Sequence, residues 1–426
     1  MTAPPGEQED TGTADSAPLQ PLRRNRDFVL LWSGVGATLL GARACHVAYP
    51  FLVLWYTGSA SDAGLVGFAA LLPNLLVQLP AGALVDRWDR RRLMILCDLG
   101  SLVATASVAV AVATGRINLG HLVAAAFVGG SLAVFHQLAE RAAVRHLVPP
   151  GQLPVALTQN EARWRAAGLL GQPVGGALYT VARWSPFLFA AAAHLLSLVS
   201  LLLIGKPFQG PRETEPRRRL AVEVAEGFTW TWRRRFLTTL VGLIAATNLL
   251  FQGISLAVIL IVRDGGGSAA LLGTITAVGG IGGMLGALGA TWWTRRAPLR
   301  TVVIGSITVW AAVIPLLIVV RAPVVIGALL AVMAYAGGLV NVVGGVYQVS
   351  VTPDEMQGRV SSVLTLIASG AGALGALGSG FLLDGLGVTG TLAGIAGCMV
   401  LLATTALVTP ALRNPDPAPG EDNSAV

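Results

Sequence analysis

Twelve runs of apolar residues, each long enough to cross a hydrocarbon layer roughly 30 Å thick as a helix, mark out the chain. They occupy residues 28–55, 63–85, 93–114, 119–141, 155–181 and 186–204, then 237–262, 270–293, 301–320, 323–347, 360–383 and 388–411. The runs lack the two-residue alternation of barrel strands, and unpaired backbone is too costly in lipid, so each is expected to be a helix. The pattern predicts a tail over 1–27, a six-helix bundle over 28–204, a linker over 205–236, a second bundle over 237–411 and a tail over 412–426.

The first twenty residues, MTAPPGEQEDTGTADSAPLQ, are rich in Pro, Gly, Thr and acids, the composition of a disordered tail and not of a secretory signal. Within the linker, Leu220, Val222, Val224 and Ala225 are followed by Trp230, Trp232 and a triple arginine, which predicts an interfacial helix.

With 54% hydrophobic and 12% charged residues among 426, the apolar side chains cannot be hidden in water-soluble domains, and the chain is expected to be an integral protein of the plasma membrane. The net charge of +7 arises from arginines clustered between apolar runs, where anionic headgroups lie, so it points to lipid and not to nucleic acid. Arg23, Arg24, Arg26, Arg87, Arg90–Arg92, Arg141, Arg145, Arg217–Arg219 and Arg233–Arg235 fall on one side, against only Arg116, Arg183, Arg263 and Arg321 on the other. That asymmetry places both termini in the cytoplasm. The single lysine, Lys206, is followed by Pro207, which excludes a phosphate-cradling loop. No metal-ligand spacing or nucleophile elbow occurs, and Cys45, Cys97 and Cys398 lie inside apolar runs, so neither enzyme chemistry nor a cofactor is expected.

An offset of 204 residues superposes GALVDRWDRRR on GALGATWWTRR and brings Gly82, Trp88, Arg91 and Arg92 onto Gly286, Trp292, Arg295 and Arg296. It also carries Pro149 onto Pro353, and Gly168, Gly171 and Gly176 onto Gly372, Gly375 and Gly380. Six spans per half preserve orientation, so the expected architecture is all-α, with two parallel-repeat bundles around a central site.

These residues resemble the major facilitator superfamily. Gly82, Leu84, Asp86, Arg87, Arg90 and Arg91 look like its G-x-L-x-D-R-x-G-R-R signature, with Asp89 at the second glycine. The segments NRDFVLLWSG, HLVPPGQL and EGFTWTWRRRF are similar to the drug-exporter branch that includes macrolide efflux and enterobactin export proteins. The resemblance implies the twelve-helix facilitator fold and alternating access. At the cytoplasmic end of span two, Asp86 would face the helix start near Gly358 in the other half and latch that side shut. Arg87, Arg90 and Arg91 either serve that latch by pairing with carboxylates such as Glu140 or simply face the cytoplasm.

Ionisable groups at membrane depth are costly, and each is a functional candidate. Arg43 and His46 share a face of span one and either line a cavity or reach outward to headgroups. Asn248 with Gln252 on span seven, Asn341 with Gln348 on span ten, and Gln172 in the GLLGQPVGG of span five are candidates for substrate contact or for helix packing. Asp98, Glu140 and Glu161 are the candidate proton carriers, although Glu161 also stands four before Arg165 as a surface pair would. His136 and His194 are read as packed residues. The leading expectation is a monomeric secondary exporter that exchanges an amphipathic organic molecule for protons. The alternatives are uptake or facilitated diffusion of a small polar solute, and a transport-inactive receptor or scaffold.

Overall fold

The computed structural model describes residues 21–209 and 220–410, with the side chains of residues 79, 83, 86 and 220–224 left out. Every apolar run becomes helix. The first half holds α1 (Arg26–Tyr56), α2 (Ala60–Leu76), α3 (Gln78–Arg87), α4 (Arg90–Ala113), α5 (Leu119–Leu147), α6 (Leu153–Val181) and α7 (Ser185–Leu203). After the linker come α8 (Leu220–Arg233), α9 (Arg235–Asp264), α10 (Ala269–Thr294), α11 (Leu299–Val313), α12 (Leu316–Val319), α13 (Pro323–Val351) and α14 (Gln357–Val408).

Nine helical stretches among the described residues are long and apolar enough to span a membrane. Three expected spans take another form, each for a local reason. Pro80 cannot donate to the carbonyl four residues earlier, and the second run breaks into α2 and α3 at Val77. The fifth run, α6, carries Glu161, Arg163 and Arg165. The last two runs join in α14, which turns at Gly387 with φ 68° and ψ 178°, a left-handed conformation that glycine alone adopts freely.

Helix starts follow capping chemistry. Asn25, Ser59, Asp89, Asn118 and Ser268 each accept a backbone N–H of the following turn. Order also reaches back into the stretch expected as a tail, where Leu22 is buried and Asn25 Nδ2 donates to Leu147 O at 2.9 Å. The rest of that tail, the basic middle of the linker and the segment from residue 411 onward lie outside the described residues.

Packing relies on small residues. α1 lies on α6 and α7, α4 on α5 and α7, and α2 on α5, while in the second half α9 lies on α14, α10 on α13, and α11 on α13 and α14. A Cβ added at Gly41 would meet Ala190 Cα at 2.9 Å, and one at Gly282 or Gly286 would meet the carbonyl of Ala331 or Tyr335 at 2.2 or 2.0 Å. The glycines of span eight therefore serve close helix packing, as expected. The expected interfacial helix is α8. It buries Gly227 and Thr231, exposes the stacked rings of Phe228 and Trp232, and docks on the start of α14, where Arg359 pairs with Glu226.

Candidate functional site: an interior cavity sealed at one end

Between the halves, α2 packs along α14 and α6 along α10. The close approaches cluster at the end that contains Ser59. A Cβ at Gly64 would lie 2.5 Å from Ala376 O, one at Gly380 2.6 Å from Ala60 O, one at Gly176 2.2 Å from Ala269 O, and one at Gly273 2.9 Å from Pro173 Cα. Two charged groups close the same end. The carboxylate of Asp384 on α14 accepts from Ser59 Oγ at 2.9 Å, Ala60 N at 2.7 Å and Ser61 N at 2.8 Å, and so sits on the positive end of the α2 dipole. Arg263 of α9 donates to Leu54 O at 3.0 Å, on the negative end of α1. The halves thus exchange an anion and a cation with complementary helix termini.

At the opposite end, around Arg87, added Cβ atoms at Gly82 and Gly358 would meet nothing within 4 Å. There α3 packs on α5, α2 and α4 of its own half. The side chain of Asp86 lies outside the described residues. Arg90 donates to Ala142 O and Phe208 O, and Arg91 to Leu201 O and Leu202 O, which are terminal carbonyls of α7. In this conformation Arg91 caps α7 and Arg90 ties α4 to α5 and to the segment after α7, all within their own half; Glu140, one of the two alternatives for them, has another partner.

Glu140 pairs instead with Arg163 of α6, both groups being buried. Arg163 Nη1 also donates to Trp32 O at 3.1 Å, and its guanidinium lies over the Trp32 ring. Glu161 forms an exposed pair with Arg165 at 2.7 Å, the surface arrangement that its spacing allowed.

The interior face of α1 carries Trp32, Gly36, Arg43 and His46, which fall within a narrow arc at about 100° per residue. His46 is exposed and stands one turn from Arg43 on that face. Arg43 stacks over Trp164 of α6 at 5.0 Å and has no carboxylate partner among the described residues. Asn341 and Gln348 line one pocket between α9, α13 and α14, together with Leu240, Ile244 and Leu364. Gln252 faces Gly372 of α14, with Nε2 3.5 Å from the position of an added Cβ. Asn248, four residues earlier, is half-buried. Gln172 lies at the α6–α10 crossing, its carbonyl oxygen 3.0 Å from the Cβ position of Gly273. The amides of Asn248, Gln252 and Asn341 make no hydrogen bond to another described residue. These candidates are distributed over α1, α6, α9 and α13.

Sequence reasoning passed over Asp384, Arg263 and Arg163. The signal for Asp384 was present: it directly follows its apolar run, 360–383, as Asp86 directly follows the run 63–85.

A family model described as "Transmembrane secretion effector" matches residues 16–423. The chain is 28% identical to the multidrug efflux pump Tap of Mycolicibacterium fortuitum over 386 residues, which is 87% of this chain and 92% of that protein. It is 30% identical to the multidrug efflux pump Tap of Mycobacterium tuberculosis over 428 residues, covering 94% and 97%. Among solved structures, the nucleoside transporter NupG superposes with a TM-score of 0.74 at 14% identity, covering 92% of this chain and all of that one. A bacterial homolog of the human lysosomal transporter Spinster, inward-facing and unoccupied, superposes with a TM-score of 0.70 at 16% identity over 92% and 98%. At these identities the two structures speak for the fold alone.

Proposed function

Because the chain belongs to the transmembrane secretion effector family of the major facilitator superfamily, and is thus a multi-span membrane transporter and not an enzyme, we propose that it exports amphipathic organic molecules by alternating access in exchange for protons. The observation that carries this reading is the one-sided seal. Helices of the two halves touch closely around Ser59, Asp384 and Gly176 and part toward Gly82 and Gly358. With the arginine-rich end in the cytoplasm, the conformation is open inward and closed outward, ready to load a molecule from the cytoplasm or inner leaflet. The Tap relatives, named as multidrug efflux pumps, support export as the direction.

The cavity walls point to the type of cargo. Arg43 is a cation without a carboxylate partner among the described residues, flanked by Trp164 and, one turn on, by His46. An aromatic, anionic or carbonyl-rich guest gains a charge-assisted hydrogen bond and ring contacts there, whereas a cationic guest meets repulsion. Uptake of a small polar solute is less well supported, because Asn248, Gln252, Asn341 and Gln172 do not converge on one small pocket.

The decisive experiment is transport by the full chain in liposomes under an imposed pH gradient. The probes are 8-anilinonaphthalene-1-sulfonate as the anionic amphiphile and ethidium as the cationic one. Gradient-driven accumulation of the anion, well above that of the cation, is expected. Equal and gradient-independent leakage of both would refute the proposal.

A further inference from the structure

Asp98 is completely buried on α4, about 12 Å along the helix from Arg90. His136 on α5 and His194 on α7 stand roughly 16 Å and 14 Å from the same-side ends of their helices, so the three side chains meet at one level inside the apolar zone. His194 Nδ1 lies 3.0 Å from Asp98 Oδ1, and His136 Nε2 lies 3.4 Å from Asp98 Oδ2. Ser197, nearly one turn beyond His194, also faces the carboxylate. Asp98 Oδ2 and His136 Nε2 are both buried, and neither has a hydrogen-bond partner among the described residues.

A cluster present only to tie helices together would have matched donors and acceptors, because a buried polar atom without a partner is costly. Here the carboxylate oxygen and the ring nitrogen face each other at 3.4 Å: a neutral imidazole with its proton on Nδ1 leaves the pair unbridged, and a second proton on Nε2 closes it. The carboxylate is sealed, with 1% of its side chain exposed, whereas the imidazoles of His136 and His194 reach accessible surface at 11% and 16%. The imidazoles are therefore the less enclosed members of the cluster.

The surroundings give the cluster a connection to the cavity. From α4 itself Cys97 adjoins Asp98; from α5 come His136 and, one turn on, Glu140; from α7 come His194 and Ser197; and from α6 Arg163 reaches Glu140. The Arg163 stem also packs 3.3 Å from the Cβ position of Gly36, and its guanidinium meets Trp32 on the face of α1 that bears Arg43 and His46. A shift of α1 against α6 on substrate binding would thus be felt at Glu140 and, one helical turn away, at His136.

We propose that Asp98, His136 and His194 form a proton-binding site within the first half, connected to the substrate cavity through Glu140 and Arg163. The inference rests on the proton-exchange reading and names the groups that carry the proton. A proton from solution is taken onto His136 Nε2 and held against Asp98 Oδ2, so the cluster gains one positive charge. The same proton later returns to solution from the same nitrogen, and no other bond forms or breaks.

The test uses the purified full chain with Asp98→Asn, Asp98→Glu and His136→Gln. The first readout needs no substrate: proton uptake from pH 8 to pH 5, followed with an indicator dye in weakly buffered detergent. Wild type and Asp98→Glu are expected to take up at least about one proton more per chain than Asp98→Asn, and equal uptake overturns the site. If Asp98→Asn does not elute as a single species on gel filtration, His136→Gln decides, with the same missing proton expected and unchanged uptake overturning the site. The second readout is accumulation of 8-anilinonaphthalene-1-sulfonate in liposomes under a pH gradient. Asp98→Asn should lose at least about tenfold of the gradient-driven accumulation while keeping downhill counterflow, whereas a variant that accumulates as wild type does overturns the inference. If wild type shows the uptake difference but no gradient-driven accumulation, the proton site stands and the exchange reading fails.

Discussion

Replacing Asp384 by Asn tests the seal at the Ser59 end with little change in shape. Three donors converge on the carboxylate within 2.9 Å. An amide offers one oxygen, and its NH₂ would point at one of those donors. A hydrogen bond to a charged acceptor contributes about 1.5–3 kcal/mol against about 1 kcal/mol for a neutral one. An anion on a helix N-terminus adds about 0.3–1 kcal/mol. Asp384 is exposed, which screens both effects, and the expected loss is about 2 kcal/mol. That is roughly a 30-fold shift, enough to raise a Ser59-end-open population from about 1% to about 20%. Spin labels at Val181 and Leu386, exposed positions on opposite sides of the seam, would report it by pulsed electron spin resonance. The background would lack Cys45, Cys97 and Cys398. The variant should show a new long-distance component, and a distribution identical to that of the parent would show that the carboxylate does not hold the seam.

Other outcomes follow from the same geometry. Gly176→Ala places a methyl group about 2.2 Å from Ala269 O, so α6 and α10 must separate; the change should weaken the closed seam by about 1–3 kcal/mol and lengthen the same spin-label distance. Arg43→Gln should raise the KM for 8-anilinonaphthalene-1-sulfonate about tenfold in liposome counterflow while leaving a neutral amphiphile unaffected. Glu140→Gln leaves Arg163 buried without its anion and should cost about 3–5 kcal/mol of stability, read as a fall in melting temperature. The double change Glu140→Gln with Arg163→Met should recover part of that loss, and a double variant no more stable than the single one would argue against a coupled pair.

Hydropathy made the helices legible because lipid permits few alternatives. Runs of the right length had to be helical, and Pro80 and Pro315 explain the two places where a run divides. The glycine spacing in span eight disclosed close packing, now seen at Gly282 and Gly286, because a missing side chain has only a few uses inside a helix. The partners of the charged groups were harder to read. Glu140 could have met the arginines after span two, which belong to the recognised motif, although Arg163 is nearer in sequence; only the packed placement of α5 and α6 decides for Arg163. His136 and His194 read as packed residues because nothing in the sequence sets either beside Asp98 on the same helix. Their meeting with Asp98 depends on three helices arriving at the same depth. Asp384 escaped notice because its counterpart at the other end belongs to a familiar motif, whereas its own receptor, the Ser59-capped start of α2, looks like an ordinary turn.

The connections at the Ser59 end have mechanical consequences. α1 and α2 are joined by residues 57–59, α6 and α7 by 182–184, and the two arms of α14 meet at the single non-helical residue Gly387. Three residues can stretch to only about 10 Å, so helices tied in this way swing as coupled pairs. The longest stretch between consecutive spans runs from Leu203 to Arg235, and within it α8 is moored to α14 through Glu226 and Arg359. Shortening that one tether should therefore restrict the stroke of the transporter more than an equal deletion in any of its hairpin turns would.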